Sequence, residues 1–116
     1  KSCYLKRMKS CDICIATTGL HGSIGWKLAE YVMASKVVLT EPLNYYVPYG
    51  FKKDSNYLEF RSVDECMSLI DSLLKNPERM RAIMQSNYDY YRESLNAGSM
   101  MRKIIDICLK RDEAYV

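Results

Sequence analysis

The sequence lacks the features that mark several large classes of protein. No apolar run approaches the ~20 residues that cross a bilayer, and no signal peptide is visible. The formal net charge is only +3 over 116 residues, too small to indicate a nucleic-acid partner. Histidine and tryptophan each occur once, and phenylalanine twice. The chain does contain 48% apolar residues, which excludes a disordered polypeptide and predicts one small domain.

The cysteines do not form the pattern of a disulfide-stabilised domain. There are five of them, and an odd, scattered set is not typical of a disulfide framework. Cys11-x-x-Cys14 has the spacing of a zinc knuckle, but no second pair of ligands follows at a matching distance. We therefore expect no metal site, thiols that are buried as small apolar groups, and a reducing cytoplasm as the compartment.

Periodicity and turn signals divide the chain into helices and strands. The predicted order is helix 2–10, strand 12–18, a helix from the glycine-rich loop to 35, strand 37–40, a long loop 41–56, strand 56–60, and helices starting near 62, 76 and 98, the last ending near 111. Strand–helix–strand alternation predicts an α/β fold: a partial Rossmann-like parallel sheet of two or three strands flanked by helices, with a helix-rich C-terminal half.

The sheet predicted in this way is incomplete. Strand 12–18 is an apolar run that ends in small polar residues, which is typical of a strand buried on both faces with neighbours on both edges. The chain also opens with Lys1 rather than Met. We therefore expect a piece of a longer protein, or a homodimer in which a second copy supplies the missing strands. In the helices after 62 and 98 we expect two apolar stripes to be packed (Val63, Met67, Ile70, Leu74; and Met101, Ile104, Ile105, Cys108, Leu109).

The stretch from Thr17 to Glu30 is the candidate binding site. It starts where strand 12–18 ends and runs through Gly19, Gly22 and Gly25 into a helix. Ligands of open α/β sheets bind at that edge, and free N–H groups at a helix start favour an anion such as a pyrophosphate. Lys27 and Glu30 lie on one stripe of the helix, where Lys27 can approach a phosphate and Glu30 can accept hydrogen bonds from a ribose. The alternative is a solvated helix face with incidental charges.

Two further residues are candidates at the same edge. His21 is suited to donate a hydrogen bond to an oxyanion or a sugar hydroxyl, because no metal ligands cluster with it. Its alternative is a structural or surface role. Glu41 ends the next strand and so can line the same crevice, or it can be a carboxylate that faces the loop. The glycine spacing itself differs from the dinucleotide-binding fingerprint.

The chain resembles the C-terminal part of GT-B glycosyltransferases, specifically the group-1-type bacterial enzymes that build surface polysaccharides. The resemblance covers about residues 10–95 and is carried by residues 18–31, 37–43 and 56–60 (TGLHGSIGWKLAEY, VVLTEPL and NYLEF). It implies that this chain is part of a nucleotide-sugar-binding domain and is inactive alone. The enzyme's N-terminal domain and the first strands of the nucleotide-sugar-binding domain are absent here. It also implies an unidentified glycan or lipid-linked acceptor, and no metal or other cofactor.

The resemblance also implies site residues. An acidic pair spaced Glu-x7-Glu is typical of the family, and its second member matches Glu30, which implies a ribose contact. The first member falls on Gly22, so that His21 or Ser23 is expected to take over part of the donor-sugar contact. The loop containing Thr18, Gly19, Gly22 and Ser23 matches the segment that faces the donor diphosphate. The catalytic residues are not identified, because the family commonly supplies its base from the absent domain.

Two other functions compete with this interpretation. A non-catalytic interaction module would use a tyrosine-rich surface (Tyr88, Tyr90, Tyr91 and residues 45–49). An RNA or anionic-membrane binder would use a cluster of basic residues, but the basic residues here are scattered and interleaved with acids. Peripheral membrane contact by the longer enzyme stays open.

Overall fold

The computed structural model describes the backbone of residues 2–115 and the side chains of residues 2–110. The elements are α1 (Ser2–Ser10), β1 (Ile13–Ala16), α2 (Trp26–Met33), β2 (Val37–Thr40), β3 (Tyr57–Glu59), α3 (Val63–Leu74), α4 (Pro77–Tyr90) and α5 (Ala97–Tyr115). A 3₁₀ turn lies at Leu20–Gly22, and a π-helical turn at Tyr91–Leu95 continues α4. The predicted α/β class and the long loop 41–56 are confirmed.

The three strands form one parallel sheet in the order β1-β2-β3. Ile13 pairs with Val37 in β1 and β2, and Val38 pairs with Tyr57 in β2 and β3. β2 is buried along its whole length because it has a neighbour on each side and helices on both faces. β1 is shorter than the predicted 12–18, and the expectation that both its faces are buried is wrong at Ile15, which is 43% exposed. Ile15 lies on a face of the edge strand that the helices leave open.

The sheet separates two hydrophobic cores. On one face, Cys14 and Val38 pack with Leu28 and Val32 of α2. On the other face, Val37 and Leu39 pack with side chains of α3 and α4, including Ile83. Alternate residues of β2 thus serve opposite cores, as the period of a strand requires. The order strand–α2–strand therefore produces the parallel sheet flanked by helices that the alternation predicts.

α3 begins with a capping box, and the stripe that it buries differs from the expected one at three of four positions. Ser62 Oγ accepts a hydrogen bond from Glu65 N at 3.2 Å, and Glu65 Oε2 accepts one from Arg61 N at 2.7 Å. The expected stripe is confirmed at Ile70 and wrong at Val63, Met67 and Leu74, which are 78%, 55% and 63% exposed. The packed residues are Cys66, Leu69, Ile70 and Leu73. The packed residues repeat at i, i+3, i+4 and i+7, so the true stripe satisfies the helical period equally well.

A network of buried amides joins α4 to the starts of β2 and β3. Asn87 is fully buried, and its Nδ2 donates to Lys36 O at 2.8 Å and to Asn56 O at 2.9 Å. Asn56 Nδ2 donates to Asn87 Oδ1 at 3.1 Å and to Ser86 O at 3.3 Å, while Asn56 Oδ1 accepts from Lys52 N at 2.9 Å. The network satisfies buried backbone groups at the end of the loop 41–56.

α5 differs from its prediction at both ends and in its packing. It starts at Ala97, before Gly98, because Asn96 Oδ1 accepts the N–H of Ser99 at 3.0 Å and caps the helix; it continues to Tyr115. The expected apolar stripe is wrong as a packed surface: Met101, Ile104, Ile105 and Leu109 are 48–58% exposed, and Cys108 is exposed too. Within residues 2–115, no helix is both long and apolar enough to cross a membrane.

Candidate functional site

The carboxyl ends of the three parallel strands meet at one edge of the sheet. Thr18 follows β1, Glu41 follows β2, and Phe60 and Arg61 follow β3. Together with Pro42 and Asn44 these residues line an open crevice of about 460 Å³. This volume lies within the range of small-molecule sites, and the edge is the one at which open α/β sheets bind their ligands.

A double hydrogen bond ties β1 to β2 at the floor of this crevice. Glu41 Oε2 accepts from the backbone N of Thr18 at 2.9 Å and from its Oγ1 at 2.8 Å. These two bonds lower the pKa of Glu41, because both stabilise the ionised carboxylate. Glu41 therefore lines the crevice as predicted, and one of its two oxygens is already bound by the protein.

The glycine loop, residues 19–25, is closed by its own backbone. Gly19 N donates to Ser23 O at 2.7 Å, Gly22 N donates to Gly19 O at 3.1 Å, and Ser23 N donates to Leu20 O at 3.2 Å. A Cβ atom at position 19 would lie 2.7 Å from Ser23 Oγ. Gly22 has a φ of +70°, and His21 shares this left-handed region with a φ of 56°. The turn therefore favours glycine at position 19, where a Cβ atom would be crowded, and at position 22, where φ is positive.

α2 begins without a side-chain cap. Its N-cap residue is Gly25, and no side chain bonds to the first N–H groups of the helix. Such N–H groups favour a negatively charged partner. Lys27 lies in this first turn and is exposed, and Trp26 beside it is 90% exposed. The helix start thus presents donors and one cation to solvent next to the glycine loop.

Glu30 faces α1 rather than the crevice. Tyr4 Oη donates to Glu30 Oε2 at 2.9 Å. The pKa of Tyr4 is raised by burial first, and then by its hydrogen bonds with Tyr31 and Glu30. The structure therefore brings Thr18 and Glu41 together, but it places Glu30 and Lys27 outside the lining of the crevice. His21 is exposed, and its side chain makes no hydrogen bond within the part of the chain that the structure describes.

Four crevice residues, Pro42, Asn44, Phe60 and Arg61, were not expected from the sequence. Asn44 follows β2 in the loop 41–56, and Phe60 and Arg61 follow β3. Arg61 Nη2 lies 3.2 Å from Glu59 Oε1, and Lys53 Nζ lies 3.8 Å from the same oxygen. The rule that the carboxyl ends of parallel strands share an edge could have identified Phe60 and Arg61. No sequence signal distinguishes Asn44 from other polar loop residues.

The tyrosines of the competing interaction-module function do not form one surface. Tyr90 is partly buried, packs against Phe51 in a tilted arrangement with 5.1 Å between ring centroids, and donates to Pro48 O at 3.0 Å. Tyr45 and Tyr46 are 56% and 85% exposed. Tyr46 also borders an apolar cavity of about 240 Å³ between α2 and the loop 41–56. Tyr90 thus packs inside the protein and anchors the loop 41–56, whereas Tyr45 and Tyr46 face solvent.

Metal-ligating side chains do not cluster in the described part of the chain. No three of its His, Cys, Asp or Glu side chains are arranged to hold an ion. Of the cysteines, Cys14 and Cys66 are buried, whereas Cys3, Cys11 and Cys108 are exposed, so the expectation of buried thiols is wrong for these three. Burial raises the pKa of the Cys14 thiol, which disfavours the thiolate that binds metals.

Comparison with known proteins identifies the family. Residues 2–106 match a family model described as glycosyl transferase-like. No curated protein and no solved structure matches the chain. The match spans α1 to the middle of α5 and so includes all three strands, the glycine loop and the crevice. The chain belongs to the glycosyl transferase-like family.

Proposed function

We propose that this chain is the donor-binding part of a GT-B glycosyltransferase of the group-1 type. The enzyme transfers a sugar from a nucleotide-sugar to a glycan or lipid-linked acceptor in the cytoplasm, in the synthesis of a surface polysaccharide or glycoconjugate. The observation that carries the proposal is the family match over residues 2–106. The crevice at the carboxyl edge of the sheet supports it, because this edge is where such folds bind nucleotides.

In this proposal the diphosphate lies at the start of α2. The uncapped N–H groups after Gly25 and the exposed Lys27 ammonium supply positive potential next to the glycine loop. This arrangement compensates the charge of a departing nucleoside diphosphate without a bound metal. His21, at the exposed tip of the 3₁₀ turn, donates to a phosphate or sugar oxygen. Thr18, Gly19, Gly22 and Ser23 form the backbone that faces this group.

Glu30 and Glu41 have different roles. Tyr4 holds Oε2 of Glu30, so the other oxygen, Oε1, is the one that accepts from a ribose hydroxyl. Glu41 acts by positioning: its two bonds to Thr18 fix where the glycine loop leaves β1. Further strands of a complete Rossmann-like domain add beside β1, where Ile15 is exposed, and they come from a longer chain or a second copy. The acceptor site and any contact with a membrane belong to that longer enzyme.

The single tryptophan allows a direct test of donor binding. Trp26 opens α2 and is 90% exposed, so its fluorescence should respond when a diphosphate binds beside it. The 116-residue chain is titrated with UDP, GDP, UDP-glucose, UDP-N-acetylglucosamine and GDP-mannose, and binding is checked by amide chemical shifts of the glycine loop. We expect saturable binding of one nucleotide series, weakened by Lys27→Ala and Glu30→Ala.

Matched variants separate a site effect from a change in charge or fold. Glu93→Ala and Lys75→Ala remove exposed charges elsewhere and should leave binding unchanged. Tyr4→Phe removes the phenol but keeps the Glu30 carboxylate, so it should affect binding much less than Glu30→Ala does. The assignment of Glu30 fails if Glu30→Ala binds like wild type. The proposed function fails if no nucleotide or nucleotide-sugar binds to this chain or to a longer chain that contains it.

A further inference from the structure

The side chain of Asn44 occupies the space above Gly22. A Cβ atom at position 22 would lie 2.5 Å from Asn44 Nδ2, closer than two such atoms approach in proteins. The glycine loop and the loop after β2 therefore touch at a second point, in addition to the bonds between Thr18 and Glu41. Gly22 is favoured here by its left-handed φ of +70°, and it also leaves room for the amide.

Asn44 differs from the charged residues of the crevice because its side chain has no hydrogen-bond partner among residues 2–110. Oε2 of Glu41 is bound by Thr18, and Arg61 lies 3.2 Å from Glu59. The Asn44 side chain is exposed and makes no hydrogen bond among residues 2–110. Its amide can both donate and accept. Asn44 is thus a crevice side chain that lies against Gly22 and whose amide is available to a ligand.

The chemistry of the crevice favours a neutral group rich in hydroxyls. Glu41 keeps its negative charge at neutral pH because its pKa is lowered, so an anion directly beside it is disfavoured. A sugar hydroxyl both donates and accepts, and can bond to an amide and a carboxylate together. The phosphates, by contrast, suit the start of α2, which has Lys27 and no acid in its first turn.

We propose that Asn44 is a specificity-determining residue that hydrogen-bonds the transferred sugar of the donor, and that Gly22 makes room for it. The inference rests on the proposed donor-binding function. It assigns the sugar to the crevice between Asn44, Glu41 and Thr18, and the nucleoside diphosphate to the glycine loop and α2. It therefore predicts that Asn44 distinguishes a nucleotide-sugar from the corresponding free nucleotide.

The test compares UDP with UDP-glucose, or the matching pair of whichever nucleotide series binds wild type best. Asn44→Ala removes the amide, and Asn44→Leu removes it while keeping the volume. Both variants should weaken nucleotide-sugar binding roughly 3- to 10-fold, as loss of a hydrogen bond does, and change binding of the free nucleotide less than about 2-fold. Tyr45→Ala, an exposed neighbour outside the crevice, is the control and should bind both ligands like wild type.

Each possible result of this binding comparison either supports or overturns the assignment of Asn44. If no nucleotide or nucleotide-sugar binds to this chain or to a longer chain that contains it, the donor-binding function is wrong and the inference falls with it. If wild type binds UDP-glucose and both Asn44 variants bind it equally well, only the inference is overturned. Equal weakening of UDP and UDP-glucose also overturns it, because Asn44 would then contact the nucleotide or its phosphates. Thermal unfolding of each variant, expected to match wild type since Asn44 is exposed, shows that the comparison reports binding.

Discussion

Replacing Asn87 should destabilise the protein more than replacing Glu41 or Tyr4. The side chain is fully buried and makes three hydrogen bonds: two donated to the carbonyls of Lys36 and Asn56, and one accepted from Asn56 Nδ2. Asn87→Ala removes all three and leaves a cavity in addition. At about 1 kcal/mol for each buried hydrogen bond and a further allowance for the cavity, the free energy of unfolding should fall by about 3–5 kcal/mol.

This loss is large against the stability of a small domain. Domains of this kind are stable by about 5–15 kcal/mol, and a loss of 3–5 kcal/mol should lower the melting temperature by roughly 12–20 °C. Urea unfolding followed by circular dichroism gives the free energy, and an unchanged m-value verifies that both chains unfold in the same way. Gln85→Ala, two positions away on the exposed face of α4, should change stability by less than about 0.5 kcal/mol.

A second variant separates hydrogen bonding from volume. Asn87→Leu keeps the site filled but offers no donor to the two carbonyls, so it should cost nearly as much as Asn87→Ala. If Asn87→Leu is as stable as wild type, volume rather than hydrogen bonding governs the site. A loss of unfolding free energy below about 1 kcal/mol for Asn87→Ala, with an unchanged m-value, would refute the reasoning altogether. Removal of a buried amide whose hydrogen bonds are all satisfied should cost more than that.

Three other predictions follow from the site. Glu41 has a lowered pKa in the folded state, so it stabilises the fold above its unfolded pKa of about 4.3. In urea unfolding, the stability advantage of wild type over Glu41→Gln should vanish as the pH falls through the folded pKa. A stability advantage that grows on acidification would contradict this. Gly22→Ala and Gly50→Ala should each lower the melting temperature because both glycines have positive φ, and the added contact at position 22 should cost little because the exposed Asn44 side chain can rotate away. Tyr4→Phe should cost about 0.5–1.5 kcal/mol in urea unfolding by removing its bond to Glu30, and a neutral effect would show that bond to be absent in solution.

The architecture was predictable because it follows from local pattern. The run Val37–Thr40 is short, apolar and β-branched, and it forms the central strand buried on both sides. Pro77 at the first turn and Asn76 before it start α4 as expected, with Asn76 Oδ1 accepting from Arg79 N at 3.2 Å. These signals act within a few residues, so they do not depend on what the rest of the chain does.

The choice of buried face was less predictable, because it depends on tertiary contacts. α3 has two overlapping apolar stripes, and the one with Cys66 and Leu73 faces the sheet while Val63 and Leu74 face solvent. Asn87 was not expected in a core, because an amide is buried only where partners exist for it. Those partners, Lys36 and Asn56, lie 51 and 31 positions away in the sequence.

The candidate site was predictable in part: Thr18 and, across the crevice, Glu41 were expected there, whereas Asn44 and Arg61 were not. The residues of the glycine loop are contiguous, so a sequence pattern could identify Thr18, Gly19 and Gly22. The opposite side of the crevice comes from the ends of β2 and β3, and only the sheet order brings Asn44 and Arg61 to the same edge. Glu30 was expected to be free for a ligand, and its bond to Tyr4 depends on how α1 packs against α2.

The buried amide network and the crevice are linked through the loop 41–56. Glu41 bonds to Thr18 at the start of this loop, Pro48 O accepts from Tyr90 near its middle, and Asn56 bonds to Asn87 at its end. Asn44 has no hydrogen bond of its own within the described side chains, so its position over Gly22 depends on these three anchors. A loop fixed at three points loses little conformational entropy when a ligand binds. Loosening any anchor should therefore weaken recognition of the sugar before it unfolds the domain.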